Sequence, residues 1–279
     1  MSDTTLRDVH SAYVNAVKEF AGAYEAGREA ALVIEHLTGL SRAQQSLRGS
    51  DAFEGDPARL EAILTARRTR QPLSQILGYA PFRDRLFRVT PDVLTPRADT
   101  ETLLDAALAA SPRSFLDLGT GPGTLALTVL AELPDAQGVA SDTSRAALDI
   151  AAVNADALGV AARVTLIESD WFDDIEGTFD LIISNPPYVD AATYATLAPE
   201  ITRWEPRIAL SPGGDGLDAY RIIIAGAPAH LRPGGHLMVE IGFDQAAAVS
   251  ALFKEAGFQD ISVLADLNGK SRVVGGIWR

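Results

Sequence analysis

From residue 114 onward, short apolar runs alternate with stretches whose apolar residues return at helical spacing, and this alternation restricts the fold more than any other property of the chain. The runs are Ser114-Phe115-Leu116-Asp117-Leu118, Gly138-Val139-Ala140-Ser141, Val164-Thr165-Leu166-Ile167, Phe179-Asp180-Leu181-Ile182-Ile183 and His236-Leu237-Met238-Val239-Glu240-Ile241. Near-continuous apolar runs suit strands buried on both faces, and parallel strands joined by crossover helices produce this rhythm. A doubly wound α/β sheet is therefore expected. Two last runs, residues 261–264 and 273–278, are separated by the turn-rich residues 266–271, which leave no room for a long helix. They are expected to close the sheet as an antiparallel hairpin.

Ahead of this region the chain changes character twice. Over residues 6–47 apolar residues recur at helical spacing, as in Ala31-Leu32-Val33-Ile34 with Leu37 and Leu40. Asp56-Pro57 then supplies an N-cap acid and a proline at the first helical position, before Leu60, Ile63 and Leu64. A small helical domain over residues 1–70 is expected. Residues 71–100 set Phe82, Leu86, Phe87 and Val89 among turn formers such as Gly78-Tyr79-Ala80-Pro81, which predicts a strand-bearing linker and leaves residues 101–279 for the α/β domain.

Several classes of function are disfavoured at once. The net charge of -13 opposes broad binding to phosphate backbones, which rests on Lys and Arg displacing counterions, so a protein or small-molecule partner is expected and stable nucleic-acid binding is not. With no cysteine, disulfides, thiolate catalysis and cysteine-held metals are excluded, and the four histidines share no ligand spacing, so no metal site is expected. The start MSDTTLRDVHSAY has no basic segment followed by an apolar core, and no run of about 18 apolar residues occurs, which predicts a cytoplasmic chain without membrane attachment.

The first strand runs into Asp117-Leu118-Gly119-Thr120-Gly121-Pro122-Gly123-Thr124 and then a helical pattern. Glycines at a strand-to-helix turn let backbone approach a ligand closely, and the helix start supplies unpaired N–H groups. About 20 residues on, Asp142 ends the second strand, where an acid can accept from both ribose hydroxyls; capping the next helix is its plainer role. A tight structural turn would need the same glycines. The loop lacks the last glycine of G-x-G-x-x-G and has no following Lys-Ser/Thr, which disfavours pyrophosphate. A nucleoside without phosphates, carrying a sulfonium cation and an amino-acid tail, suits a loop flanked by acids, and S-adenosylmethionine, with S-adenosylhomocysteine as product, matches. Asp170-Trp171, after the third strand, adds a wall for an adenine ring at Trp171 and an acceptor for its exocyclic amine at Asp170, although packing alone also explains a tryptophan there.

The fourth strand delivers Asn185-Pro186-Pro187-Tyr188 to the carboxyl edge of the sheet, where open α/β sheets bind ligands. Two prolines fix φ and lack N–H groups, so the loop is rigid and rich in acceptors. An amide or aromatic-amine nitrogen attacks a sulfonium methyl poorly because its lone pair is delocalised, so a site must orient its N–H groups and favour the charge that develops on nitrogen. Asn185 Oδ1 and a backbone carbonyl can accept both hydrogens, while the Tyr188 ring can lie against the planar group. Catalytic roles fall to Asn185, Pro186 and Tyr188, and acceptor binding to these with Pro187. The chemistry specifies a planar nitrogen, not which one.

At these residues the chain resembles the PrmC/HemK family, bacterial methyltransferases that modify a glutamine side-chain amide in peptide chain release factors. The resemblance runs from Gly39-Leu40-Ser41-Arg42 through Pro72-Leu73-Ser74-Gln75-Ile76-Leu77-Gly78, Val93-Leu94-Thr95-Pro96-Arg97, the glycine loop and the tetrapeptide to Glu205-Pro206-Arg207-Ile208-Ala209-Leu210, Gly213-Gly214-Asp215-Gly216-Leu217 and the ending Asp266-Leu267-Asn268-Gly269-Lys270-Ser271-Arg272. It implies a Rossmann-like, seven-stranded class I methyltransferase domain with an N-terminal helical domain that recognises the substrate. The cofactor would be held by Gly119, Thr120, Gly121, Pro122, Gly123, Asp142, Asp170, Trp171 and Asn185, and a monomer is expected. Adenine in nucleic acid and a ribosomal-protein glutamine stand as alternative acceptors, and a non-catalytic cofactor-binding protein as the alternative class. Ala98 stands where the family has a proline after Pro-Arg, which predicts a looser loop near the substrate entrance.

Overall fold

The computed structural model describes residues 4–279 and resolves into two compact units, the first reaching to Gly78 and taking in Pro199–Trp204, the second comprising Tyr79–Ala198 with Glu205–Arg279. The first is helical: α1 Leu6–Ala21, α2 Ala23–Thr38, α3 Arg42–Leu47, α4 Pro57–Arg68, α5 Leu73–Leu77 and the short α10 Pro199–Trp204. Val9, Tyr13 and Val17 recur at four-residue spacing on α1 and so form one stripe; Tyr13 and Val17 pack with Ala26, Ala30 and Val33 of α2 and Ile63 and Leu64 of α4, and Val9 with Leu6 and Ile34. Asp56 caps α4 as its sequence suggests, its side chain accepting from Ala58 N at 2.8 Å. Under this core Arg67 and Glu29, both nearly inaccessible, form a two-pronged ion pair of 2.9 and 3.0 Å, and Tyr13 donates to the same carboxylate at 2.9 Å. Arg70 clasps Glu200 with two bonds of 2.7 Å, which fastens α10 to the helices 130 residues before it.

The second unit opens with an antiparallel hairpin, β1 Tyr79–Phe82 and β2 Arg85–Arg88. The rest alternates strand and helix: α6 Glu101–Ala110, β3 Ser114–Leu118, α7 Thr124–Glu132, β4 Gln137–Asp142, α8 Arg145–Ala157, β5 Val164–Glu168, β6 Phe179–Ser184, α9 Ala191–Tyr194, α11 Asp218–His230, β7 Leu231–Glu240, α12 Ala246–Glu255, β8 Gln259–Ala265 and β9 Ser271–Ile277. The seven strands order as β5-β4-β3-β6-β7-β9-β8, the first five parallel and β9 antiparallel to both its neighbours. This is the class I methyltransferase sheet, closed by the expected hairpin.

Successive residues of a strand face opposite ways, and here both faces are covered. Phe115, Leu181 and Ile183 meet Leu103 and Leu104 of α6 and Leu127 of α7 on one side, while Leu116, Ile182 and Leu237 meet Ile223 of α11 and Phe253 of α12 on the other. The order reverses between β3 and β6, and at such a switch point the two following loops diverge and leave a crevice. Leu118 pairs with Ser184 across that gap, so the glycine loop and the Asn-Pro-Pro-Tyr loop leave the sheet side by side. Among the described residues no helix is long and apolar enough to cross a membrane.

Candidate active site

Gly119 and Gly121 have φ of +70° and +56°, a region that costs other residues roughly 1–2 kcal/mol. A Cβ built on either would meet nothing within 4 Å, so the loop turns bare backbone toward open space. That space is a cavity of about 390 Å³ bordered by Gly119, Gly121, Asp142, Trp171, Asn185 and Pro187. A narrower pocket of about 50 Å³ continues past the same glycines to Asp117, Thr120 and Pro122. Gly123 lines neither; a Cβ there would stand 2.6 Å from Leu127 Cδ1, so this glycine serves close packing of α7.

Asp142 is bound to the loop it faces. Its Oδ2 accepts from Gly121 N and its Oδ1 from Ser144 N, both at 2.9 Å, which leaves each oxygen with further acceptor capacity. Burial raises its pKa, and these backbone bonds offset part of the rise. The cap of α8 is Ser144, accepting from Ala147 N at 3.2 Å, so capping that helix is not what Asp142 does.

Asp117 lies deeper. Its Oδ2 accepts from Thr120 Oγ1 at 2.7 Å and Ala126 N at 3.2 Å, but its buried Oδ1 has no partner among the described residues. Burial, with a contribution from nearby Asp142, pushes its pKa up to about 7. A buried acceptor left open beside a ligand pocket is where a cationic donor gains most. Thr120 turns its side chain to Asp117, and the Pro122 carbonyl accepts from Asn154 Nδ2 at 2.8 Å, so both residues hold the loop's shape. Asn154 also grips Arg88 through both N and O, tying β2 to the glycine loop.

Trp171 forms one wall of the cavity from a strained backbone, φ +51°, on a turn fixed by Ser169 Oγ bonds to Trp171 O and Asp174 N at 3.1 and 3.0 Å. Strain of this kind, on the order of 1–3 kcal/mol, persists where surrounding structure enforces it, often at functional sites. Asp170 is exposed on the same rim.

Across the cavity, Asn185 Nδ2 donates to Thr100 Oγ1 at 3.1 Å, which fixes the amide and leaves Oδ1 as an acceptor at the cavity edge. Gln245 Nε2 takes the Tyr188 carbonyl at 3.0 Å; of the two prolines, Pro187 borders the cavity, while Pro186 is buried and lines neither pocket. Tyr188 borders neither cavity: its ring packs with the apolar cluster on the α11 and α12 side, and its hydroxyl donates to buried Glu240 Oε1 at 3.3 Å.

Sequence reasoning missed the far wall, supplied by Pro206, Ile208, Ser211 and Pro212, and missed Thr100 and Glu240 altogether. The proline-bearing blocks flanking residue 206 were a signal for the wall; a lone Thr and Glu in unrelated segments gave none. The loop expected to be loose because of Ala98 is tied on both sides, Arg97 to buried Glu205 at 2.6 Å and Asp99 to Arg272 at 3.0 Å.

Residues 97–269 match the Methyltransferase small domain family and residues 11–78 the PrmC N-terminal domain family. The release factor glutamine methyltransferase of Cereibacter sphaeroides is 53% identical to this chain, over 91% of it and 92% of the relative. The chain belongs to the release factor glutamine methyltransferase family. A second such enzyme, from Geobacter sulfurreducens, is 45% identical over 78% of each chain. Among solved structures, a methyltransferase from Pyrococcus furiosus superposes with a TM-score of 0.53 at 15% identity, over 68% of this chain and 87% of that one, a likeness of fold. This family member is thus an enzyme that transfers a methyl group from S-adenosylmethionine. Its glycine loop and acid-bordered cavity offer the bare backbone and the acceptors that such a cofactor calls for.

Proposed function

We propose that this methyltransferase methylates the side-chain amide nitrogen of a glutamine in a peptide chain release factor. The observation that carries the reading is Asn185, whose amide is anchored through Nδ2 so that Oδ1 is offered at the edge of the cavity, beside Pro187 and its carbonyl. Those acceptors suit both hydrogens of a planar amide and strengthen as positive charge grows on its nitrogen. The loop is stiff, so positioning does most of the work. On the cofactor side, Gly119 and Gly121 would offer backbone, Asp142 would accept from the ribose, Trp171 would face the adenine with Asp170 near its amine, and Asp117 Oδ1 would meet the ammonium of the tail. S-adenosylmethionine supplies the electrophilic methyl when bound.

The acceptor identity rests on the relatives named for release factors and on the acidic balance of the chain, which favours a protein over a nucleic acid. The helical unit is the part we assign to gripping the protein substrate, with the enzyme acting as a cytoplasmic monomer. Incubation with labelled cofactor, purified release factor, ribosomal proteins and nucleic acid, followed by mass spectrometry, is expected to place one methyl group on a single release-factor glutamine. Label in nucleic acid alone, or in a ribosomal protein alone, would overturn the assignment. In the same assay Asn185→Ala is expected to lose at least about 100-fold in transfer rate while keeping most cofactor affinity.

A further inference from the structure

Glu240 ends β7 directly behind the acceptor loop, and its side chain is almost wholly inaccessible. Tyr188 donates its hydroxyl to Oε1 at 3.3 Å. The Thr100 hydroxyl also interacts with this carboxyl group, and Thr100 Oγ1 receives Asn185 Nδ2 at 3.1 Å. Arg272, itself nearly buried, lies close by with its Nη2 held by Asp99 and Asp266 at 3.0 and 3.3 Å, while its Nε and Glu240 Oε2 have no hydrogen-bond partner among the described residues. A buried carboxyl group this sparsely paired costs stability.

A threonine hydroxyl has one proton to give. When that proton points to an acceptor behind it, the oxygen presents lone pairs forward, and Asn185 must approach with Nδ2 rather than Oδ1. Remove the acceptor and the hydroxyl can turn its proton toward Asn185, which permits the opposite amide orientation and withdraws Oδ1 from the cavity. We propose that Glu240 is a positioning residue for methyl transfer, acting through Thr100 to set which way the Asn185 amide faces and through the Tyr188 hydroxyl to hold the rest of the tetrapeptide. The proposal rests on Asn185 and the proline loop holding the acceptor.

The test compares wild type with Glu240→Gln, Glu240→Leu and the double variant Thr100→Val/Tyr188→Phe, reading kcat on release factor, cofactor Kd and melting temperature for each. Glu240→Gln retains an acceptor oxygen and is expected to stay within about threefold of wild type. Glu240→Leu is expected to lose about 30-fold or more in kcat with cofactor Kd within twofold, and the double variant, which leaves Glu240 in place, to reproduce that loss. Should Glu240→Leu fail to fold, the double variant and Glu240→Gln decide: a double variant near wild type, or Glu240→Gln as inactive as the double variant, overturns the proposal. A parallel loss of cofactor affinity in Glu240→Leu also overturns it, since the residue would then be structural. Wild-type transfer in the same assay tests the acceptor itself, so failure of that reading is seen separately.

Discussion

Both units bury charged side chains, and they treat them in opposite ways. In the helical unit Glu29 meets a two-pronged guanidinium and a tyrosine hydroxyl, and the Arg67 that pairs with it reaches the Gln71 carbonyl and Glu200 as well. In the methyltransferase unit Asp117 and Glu240 each keep an oxygen without a partner, and burial pushes both pKa values up to about 7. Complete pairing locks a fold and leaves nothing for a ligand. Incomplete pairing is a standing cost that a bound group can relieve, and both underserved acids stand at or just behind the crevice.

The largest expected effect breaks the paired case. Arg67→Ala strands Glu29 in the core and is expected to cost about 3–5 kcal/mol of stability, measured by denaturant unfolding, with the cofactor affinity of the folded protein unchanged. An unfolding midpoint equal to wild type would show the pair to be dispensable. Next comes Asp142→Ala, which removes acceptors from both the glycine loop and the proposed ribose position. Losing hydrogen bonds to a charged group is worth about 1.5–3 kcal/mol, so calorimetry should find cofactor Kd raised by about 10- to 150-fold. Unchanged affinity would remove Asp142 from the cofactor site.

The smallest effect is a slope. The pKa of Asp117 stands at about 7 against an ordinary 3.8, so between those values the folded chain holds a proton that the unfolded chain has already lost. Stability without cofactor therefore falls as pH rises through this window, by at most about 1.4 kcal/mol per pH unit for the one proton. Asp117→Asn is expected to flatten that fall in part, because burial raises Glu240, Asp142 and Glu205 in the same direction. Cofactor affinity should rise with pH through about 7 in wild type and lose this dependence in Asp117→Asn; an unaltered profile would mean that Asp117 does not meet the ammonium.

Much of the molecule was legible beforehand because local periodicity carries it. Phe115 to Leu118 and Leu181 to Ile183 read as buried strands, since residues covered on both faces must be apolar at every position. Asp56-Pro57 announced a helix start through the chemistry of the first turn alone. The glycines and the Asn-Pro-Pro-Tyr loop could be placed at strand ends for the same reason. The direction of a side chain was less accessible: Tyr188 was expected against the substrate and is instead turned to Glu240, because only the packed position of β7 brings that acid behind the loop.

Residue types and spacing thus determined the two kinds of region, the glycine loop and the stiff Asn185-Pro186-Pro187-Tyr188 loop, all of which depend on neighbours within a few positions. The tertiary structure alone decided that β3 lies against β6, that Thr100 meets Asn185 across 85 residues, and that Pro199–Trp204 belongs with helices more than a hundred residues earlier through Arg70 and Glu200. Pairing between distant segments is set by which crossovers bury both sheet faces and by which charges find partners, and no local pattern encodes either.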